Sequence, residues 1–164
     1  MKQALSFSIF FLFLCGCQNT PPLEFEQQAL QLEQQVVEIE CRKMQLKHQI
    51  DSIWGATTSA IEKELPQDME AGAKENLLSL KAEHLIKMLP EYNDLNSNTK
   101  ALISEASTLD STMTLQFAAV LKEYNAYEVE MKKFLQAVET KSAPMRMQYL
   151  KRLQNAQREA CKEK

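Results

Sequence analysis

Three groupings of side chains carry whatever chemistry this sequence could perform. Cys41, Met44 and His48 follow one another at steps of three and four, which stacks them on one face of a helix. His84 and Met88 form a second pair at that spacing, and Met145 with Met147 adds a third methionine cluster. Thiolate or thioether sulfur beside imidazole is a donor set suited to copper. Methionine at helical spacing is also ordinary core filler, because its flexible thioether adapts to irregular gaps. Soft-metal or small-ligand binding by a helical module is therefore the alternative functional reading, and no residue is assigned as a metal ligand.

Catalysis finds less support. A di-iron bundle needs Glu-x-x-His pairs on facing helices, but Gln45 precedes His48 and Lys81 precedes His84 at that distance. No Gly-x-Ser-x-Gly occurs, and no histidine neighbours a plausible nucleophile. Glu62, Glu64 and the other carboxylates read as a solvated face, and Trp54 beside Gly55 reads as a tryptophan at the edge of a core. No catalytic residue and no cofactor is assigned, so the expectation is a protein that is not an enzyme.

The elements that hold these residues must be helical. The 164-residue chain contains three glycines, Gly16, Gly55 and Gly72, where average usage of roughly 7% predicts about eleven. Phosphate-binding loops and β-sandwiches need glycine at their turns, so both are disfavoured. A composition of 45% hydrophobic and 25% charged residues with a net charge of −3 fits one globular domain.

Residues 1–17 read MKQALSFSIFFLFLCGC: a lysine, an apolar run from Ala4 to Cys15, then Gly16 and Cys17. The run falls short of the roughly 20 residues a spanning helix needs, and it matches the hydrophobic region of a secretory signal. Leu14-Cys15-Gly16-Cys17 resembles the lipobox of bacterial lipoproteins, with Cys15 departing from the usual residue at its place. The resemblance implies that residues 1–16 are cleaved and that Cys17 carries the lipid. It implies further that Gln18, where an aspartate marks inner-membrane retention in enterobacteria, directs the protein, in a Gram-negative cell, to the outer membrane facing the periplasm. Several acyl chains hold a protein firmly, at about 0.8 kcal/mol per buried methylene, so the chain is expected to be anchored without spanning. Residues 17–22 form a short tether, and 23–164 form a single domain.

Prolines at 66, 90 and 144 divide that domain, since proline cannot continue a helix and biases its predecessor away from helical geometry. The pattern predicts helices over about 24–64, 67–89, 98–142 and 145–162. Along the first, Phe25, Ala29, Leu32, Val36, Ile39, Lys43, Leu46, Ile50, Ile53, Thr57 and Ala60 alternate steps of four and three, as a coiled-coil seam does. Leu102, Ala106, Leu109, Met113, Phe117, Val120, Tyr124, Tyr127, Met131, Phe134 and Val138 repeat the pattern on the third, with a kink expected in the Ser/Thr-rich stretch 104–114. Each long helix measures about 60 Å at 1.5 Å per residue. The predicted fold is all-α, an elongated antiparallel bundle of three to four helices.

Two thiols remain, Cys41 and Cys161. In an exported chain a disulfide between them is the first expectation, and an intermolecular bridge the second. Cys41 lies opposite the main seam, yet Val37, Cys41, Met44 and His48 form a second stripe there. Something must cover that back face, and the fourth helix is the natural cover. Charge agrees: residues 17–98 carry 7 basic and 14 acidic side chains, whereas 129–164 carry 9 basic and 4 acidic. A basic last helix on an acidic first helix explains this separation, and no nucleic-acid motif accompanies the positive charge. The expected function is that of a lipid-anchored, non-catalytic helical adaptor. Its expected partners are the membrane, through the anchor, and an envelope protein or a second copy, with no nucleic acid.

Overall fold

The structure is a computed structural model that describes residues 22–162; the lipid-attachment candidate Cys17 and the signal segment lie outside the described residues. Five α-helices and one 3-10 turn make up the described chain, with no strand among them. They are α1 (Leu23–Glu64), α2 (Ala71–Ser79), α3 (Glu83–Ile86), the 3-10 turn Pro90–Asp94, α4 (Ser97–Glu139) and α5 (Ala143–Glu159). The described residues include no helix long and apolar enough to cross a membrane.

Local signals set the boundaries. α1 stops at Leu65, whose extended backbone (φ −70°, ψ 141°) is what the following Pro66 favours. α4 begins where the Asn96 side chain accepts from the Thr99 amide at 2.9 Å, satisfying one of the amides a helix start leaves free. Ser142 caps α5 in the same way, with Pro144 in its first turn. Inside α4, Thr108, Ser111 and Thr112 donate their hydroxyls to the carbonyls four residues back at 2.9, 2.9 and 3.0 Å, and the helix runs unbroken through 104–114.

The expected helix over 67–89 is corrected: it divides into α2 and α3, joined by extended backbone at Leu80 (ψ 127°) and Ala82 (φ −153°, ψ 124°). The reason is geometric. Leu77 and Ile86 are both buried in one core, but residues nine apart on a continuous helix lie about 180° apart around its axis. The extended break turns the chain so that both can face inward.

α1 packs along α4, and α5 packs against both. Phe25 meets Phe134 at a ring distance of 6.0 Å, Arg42 pairs with Glu123, Trp54 bonds Asp110, and Glu64 bonds Thr99. Numbers along α4 therefore fall as those along α1 rise. On α5 they rise together: Tyr149 and Arg152 bond Glu26, Arg152 also bonds Glu33, and Gln157 bonds Glu40.

The apolar residues gather in two cores. The first joins Phe25 to Leu46 of α1, Val120 to Val138 of α4, and Met145, Tyr149 and Leu153 of α5. The second joins Trp54 and Ile61 of α1 to Leu77, Ile86, Leu95, Ile103 and Ala106. On α1 the buried line runs from Leu46 through half-buried Ile50 to Trp54, Thr57 and Ile61. It thus drifts one position away from the expected Ile53 and Ala60, because an α-helix turns every 3.6 residues and slips relative to a seven-residue repeat. On α4 the expected Leu102 is exposed, and Ile103 takes its place in the core.

Candidate functional site

The sulfurs of Cys41 and Cys161 lie at bonding distance, with the Cα atoms 5.4 Å apart. Cys161 follows Ala160, the C-terminal cap of α5, and its φ of 61° is in the left-handed region that a helix terminus usually gives to glycine. α5 is thus brought to its end directly over Cys41. This position answers the question posed by the second stripe on α1. Val37 and Cys41 are half-buried beneath α5, whereas Met44 (51% exposed) and His48 lie beyond its end and are open to solvent.

α5 is clamped along an acidic line. Arg152 reaches the Glu26 carboxylate at 2.7 Å and pairs with Glu33, and the Tyr149 hydroxyl donates to Glu26 at 2.8 Å. Those bonds, Arg152 first and Tyr149 second, hold the Glu26 carboxyl below its ordinary pKa. Burial, reinforced by the hydrogen bond to Glu26, pushes the Tyr149 phenol up to about 12. Gln157 ends the clamp by bridging Glu40 and the Tyr124 hydroxyl, both at 3.1 Å. The expected contact of a basic last helix with an acidic first helix is present.

Past Cys41 no described residue takes the position that α5 occupies until α3. No residue between Leu46 and Trp54 on α1, or between Ala106 and Val120 on α4, is fully buried, so this stretch is a waist between the two cores. A groove of about 360 Å³ opens there, lined by Met44, Lys47 and Ile50 from α1 and by Thr114 and Phe117 from α4. At its near edge Lys43 bonds Glu40 at 2.9 Å and lies over the Tyr124 ring at 5.0 Å. At its far edge Lys81 pairs with Asp51 at 3.5 Å, and Leu115, 74% exposed, lies beside Lys81 and Ala82. Lys47 makes no ion pair among the described residues.

Heptad arithmetic identifies the groove as a continuation of the α5 track. Val37 and Met44 are seven apart on α1; Leu135, Glu128 and Leu121 are successive sevens on α4. Leu135 is buried in the core that contains α5, whereas Leu121 is 41% exposed. The same stripe is covered at one end and bare at the other.

The remaining sequence candidates disperse. Met145 is buried in the first core while Met147 is 59% exposed, and Met88 is 78% exposed. Among the described residues no group of three or more His, Cys, Asp or Glu side chains converges as a metal site would require. Trp54 is 1% exposed with its indole N–H bonded to Asp110, so it is a core residue. Glu64, expected on a solvated face, is accessible to solvent and also accepts from the Asn96 amide at 2.7 Å and from the Asn96 and Thr99 side chains. The Thr99 bond, with the Asn96 amide second, lowers its pKa. The waist itself escaped the sequence reading. Its signal was present in Lys43 and in the four-residue step from Met113 to Phe117, where the seams thin.

Compared with profiles of known protein families, with characterised proteins and with solved structures, the chain matches none.

Proposed function

We propose that this protein is a lipoprotein of the cell envelope, anchored at Cys17, that acts as a non-catalytic helical adaptor for another envelope protein. In this reading residues 23–164 form an elongated antiparallel bundle stapled by a Cys41–Cys161 disulfide. The opposed numbering of α1 and α4 contacts and the 5.4 Å Cα separation support it. The observation that carries the adaptor role is the vacant helix position at the waist, where an apolar track already used by α5 continues uncovered. A helix laid in an apolar groove is a recurring mode of recognition between proteins. The tether 17–22 reaches at most about 18 Å when extended, so a lipid on Cys17 keeps the start of α1 beside the membrane.

Two measurements test the proposal. Labelled palmitate is expected to enter the wild-type chain and not Cys17→Ser; unlabelled wild type recovered with its signal intact would overturn the anchor. A photoreactive residue at position 44 or 115 is expected to crosslink a discrete envelope protein in intact cells. The same residue at exposed Leu23, outside the groove, is expected not to capture that protein, and equal capture from both places would overturn the docking role.

A further inference from the structure

The acidic line that receives α5 changes sign where α5 ends. Glu26, Glu33 and Glu40 are spaced seven apart on α1, and the next position in the series is Lys47. α5 answers the acidic part with Arg152, bonded to Glu26 and Glu33. Beyond Cys161 the free charge at the groove is basic among the described residues. Lys43 is engaged by Glu40, and Asp51 by Lys81, which leaves Lys47, with His48 beside it, without an ion pair among those residues. Asp110, at the far end, already accepts the Trp54 indole at 2.9 Å.

We infer that the waist docks an acidic amphipathic helix of a partner protein, laid end to end with α5 in the α1/α4 groove. The inference deepens the proposed adaptor role and rests on the waist being its docking surface. α5 supplies the template for the apolar side of such a helix: Met145, Tyr149, Leu153 and Ala160 are buried along one stripe. On the α1/α4 side the floor is Met44, Ile50 and Phe117, with little polar surface to satisfy. From Cys41 to Asp51, where Lys81 closes the groove, 10 positions at 1.5 Å each give an opening of about 15 Å, enough for less than three turns. A basic helix like α5 would meet Lys47 with like charge, so the groove discriminates by repulsion as well as attraction.

The test uses the full chain and two lactam-bridged 10-residue peptides that share a Leu/Met stripe. One carries Glu on both flanks and the other carries Lys. Fluorescence anisotropy is expected to show saturable binding of the Glu peptide, with the Lys peptide about tenfold weaker, equivalent to about 1.4 kcal/mol. Lys47→Glu is expected to reverse the order, Lys47→Gln to reduce the gap, and added salt to weaken the Glu peptide, since rim charges are screened. Equal binding of the two peptides, preference for the Lys peptide, or indifference to Lys47→Glu would overturn the inference. So would a concentration-dependent dimer that excludes the Glu peptide, or displacement of that peptide by free palmitate at stoichiometric amounts. Capture of a partner from position 44 alongside equal peptide binding would leave the adaptor role standing and defeat only its acidic assignment.

Discussion

Trp54 donates its indole N–H to an Asp110 carboxylate oxygen at 2.9 Å while its ring is almost wholly enclosed by the second core. One residue therefore supplies the largest apolar body of that core and also ties α1 to α4 on the edge of the waist. Trp54→Ala is expected to cost about 3–5 kcal/mol by emptying the site. Asp110→Ala strands the indole donor and is expected to cost about 1–3 kcal/mol. Leu115→Ala, at an open position, is expected to stay within about 0.5 kcal/mol. Urea unfolding of the three variants gives the ranking, and a Leu115→Ala loss as large as that of Trp54→Ala would refute the burial argument.

The pairing of Cys41 with Cys161 closes a segment with a sequence separation of 120. A crosslink of that span restricts the unfolded chain by about 4–5 kcal/mol in the chain-entropy description. Reduction, or Cys41→Ser with Cys161→Ser, is expected to lower stability by several kcal/mol. The left-handed backbone at Cys161 adds a finer expectation. With Cys41→Ser as background, Cys161→Gly should be about 1 kcal/mol more stable than Cys161→Ser, because glycine adopts that conformation freely. Equal melting of the two double variants would remove the backbone argument.

Acid should loosen the grip of α5. The Glu26 carboxyl is held below its ordinary pKa of 4.5 by Arg152 and then Tyr149. As pH falls, the unfolded chain takes up this proton first, so the contribution is full above the unfolded value and is lost as pH drops through the folded one. Glu64 and Glu83 are lowered as well, by Thr99 and Lys87 respectively, and act in the same direction. Stability is expected to be lower at pH 3 than at pH 6, with a smaller difference in Glu26→Gln. An unchanged pH dependence in that variant would show that the clamp carries no protonation linkage.

The alkaline limb has the opposite origin. Burial pushes the phenols of Tyr127 and Tyr149 up to about 12 from 10.0. Each contributes fully below the unfolded value of 10.0 and loses its contribution as pH rises through the folded one. Phenolate absorbance is expected to show delayed ionisation in the folded chain that Tyr149→Phe reduces and denaturant abolishes. Unaltered titration in Tyr149→Phe would contradict the burial of that phenol.

How much of this was legible depends on the range of the interaction that decides each element. Period and proline sufficed for α1, α4 and α5, because a stripe repeated over many turns and a proline at either margin act locally. The Cys41/Cys161 pairing was also accessible, since a second apolar stripe requires a cover. The division into α2 and α3 was not: it follows from Leu77 and Ile86 sharing one core, and nothing within 67–89 states that requirement. The bonds of Glu64 were hidden for the same reason, its partners Asn96 and Thr99 lying 32 and 35 residues away. The waist is a failure of coverage, and it becomes visible only once α5 is known to stop at Cys41.

The charges beneath α5 specify its alignment only at its end. Arg152 sits between Glu26 and Glu33, and a slide of one heptad would seat it equally well between Glu33 and Glu40, but would carry Gln157 from Glu40 onto Lys47. Such a slide carries Cys161 about 10 Å along α1, well outside the reach of a disulfide. A sulfur bond at that point adds a covalent stop to the change of sign at Lys47 and keeps the chain's own last helix from drifting into the bay ahead of it.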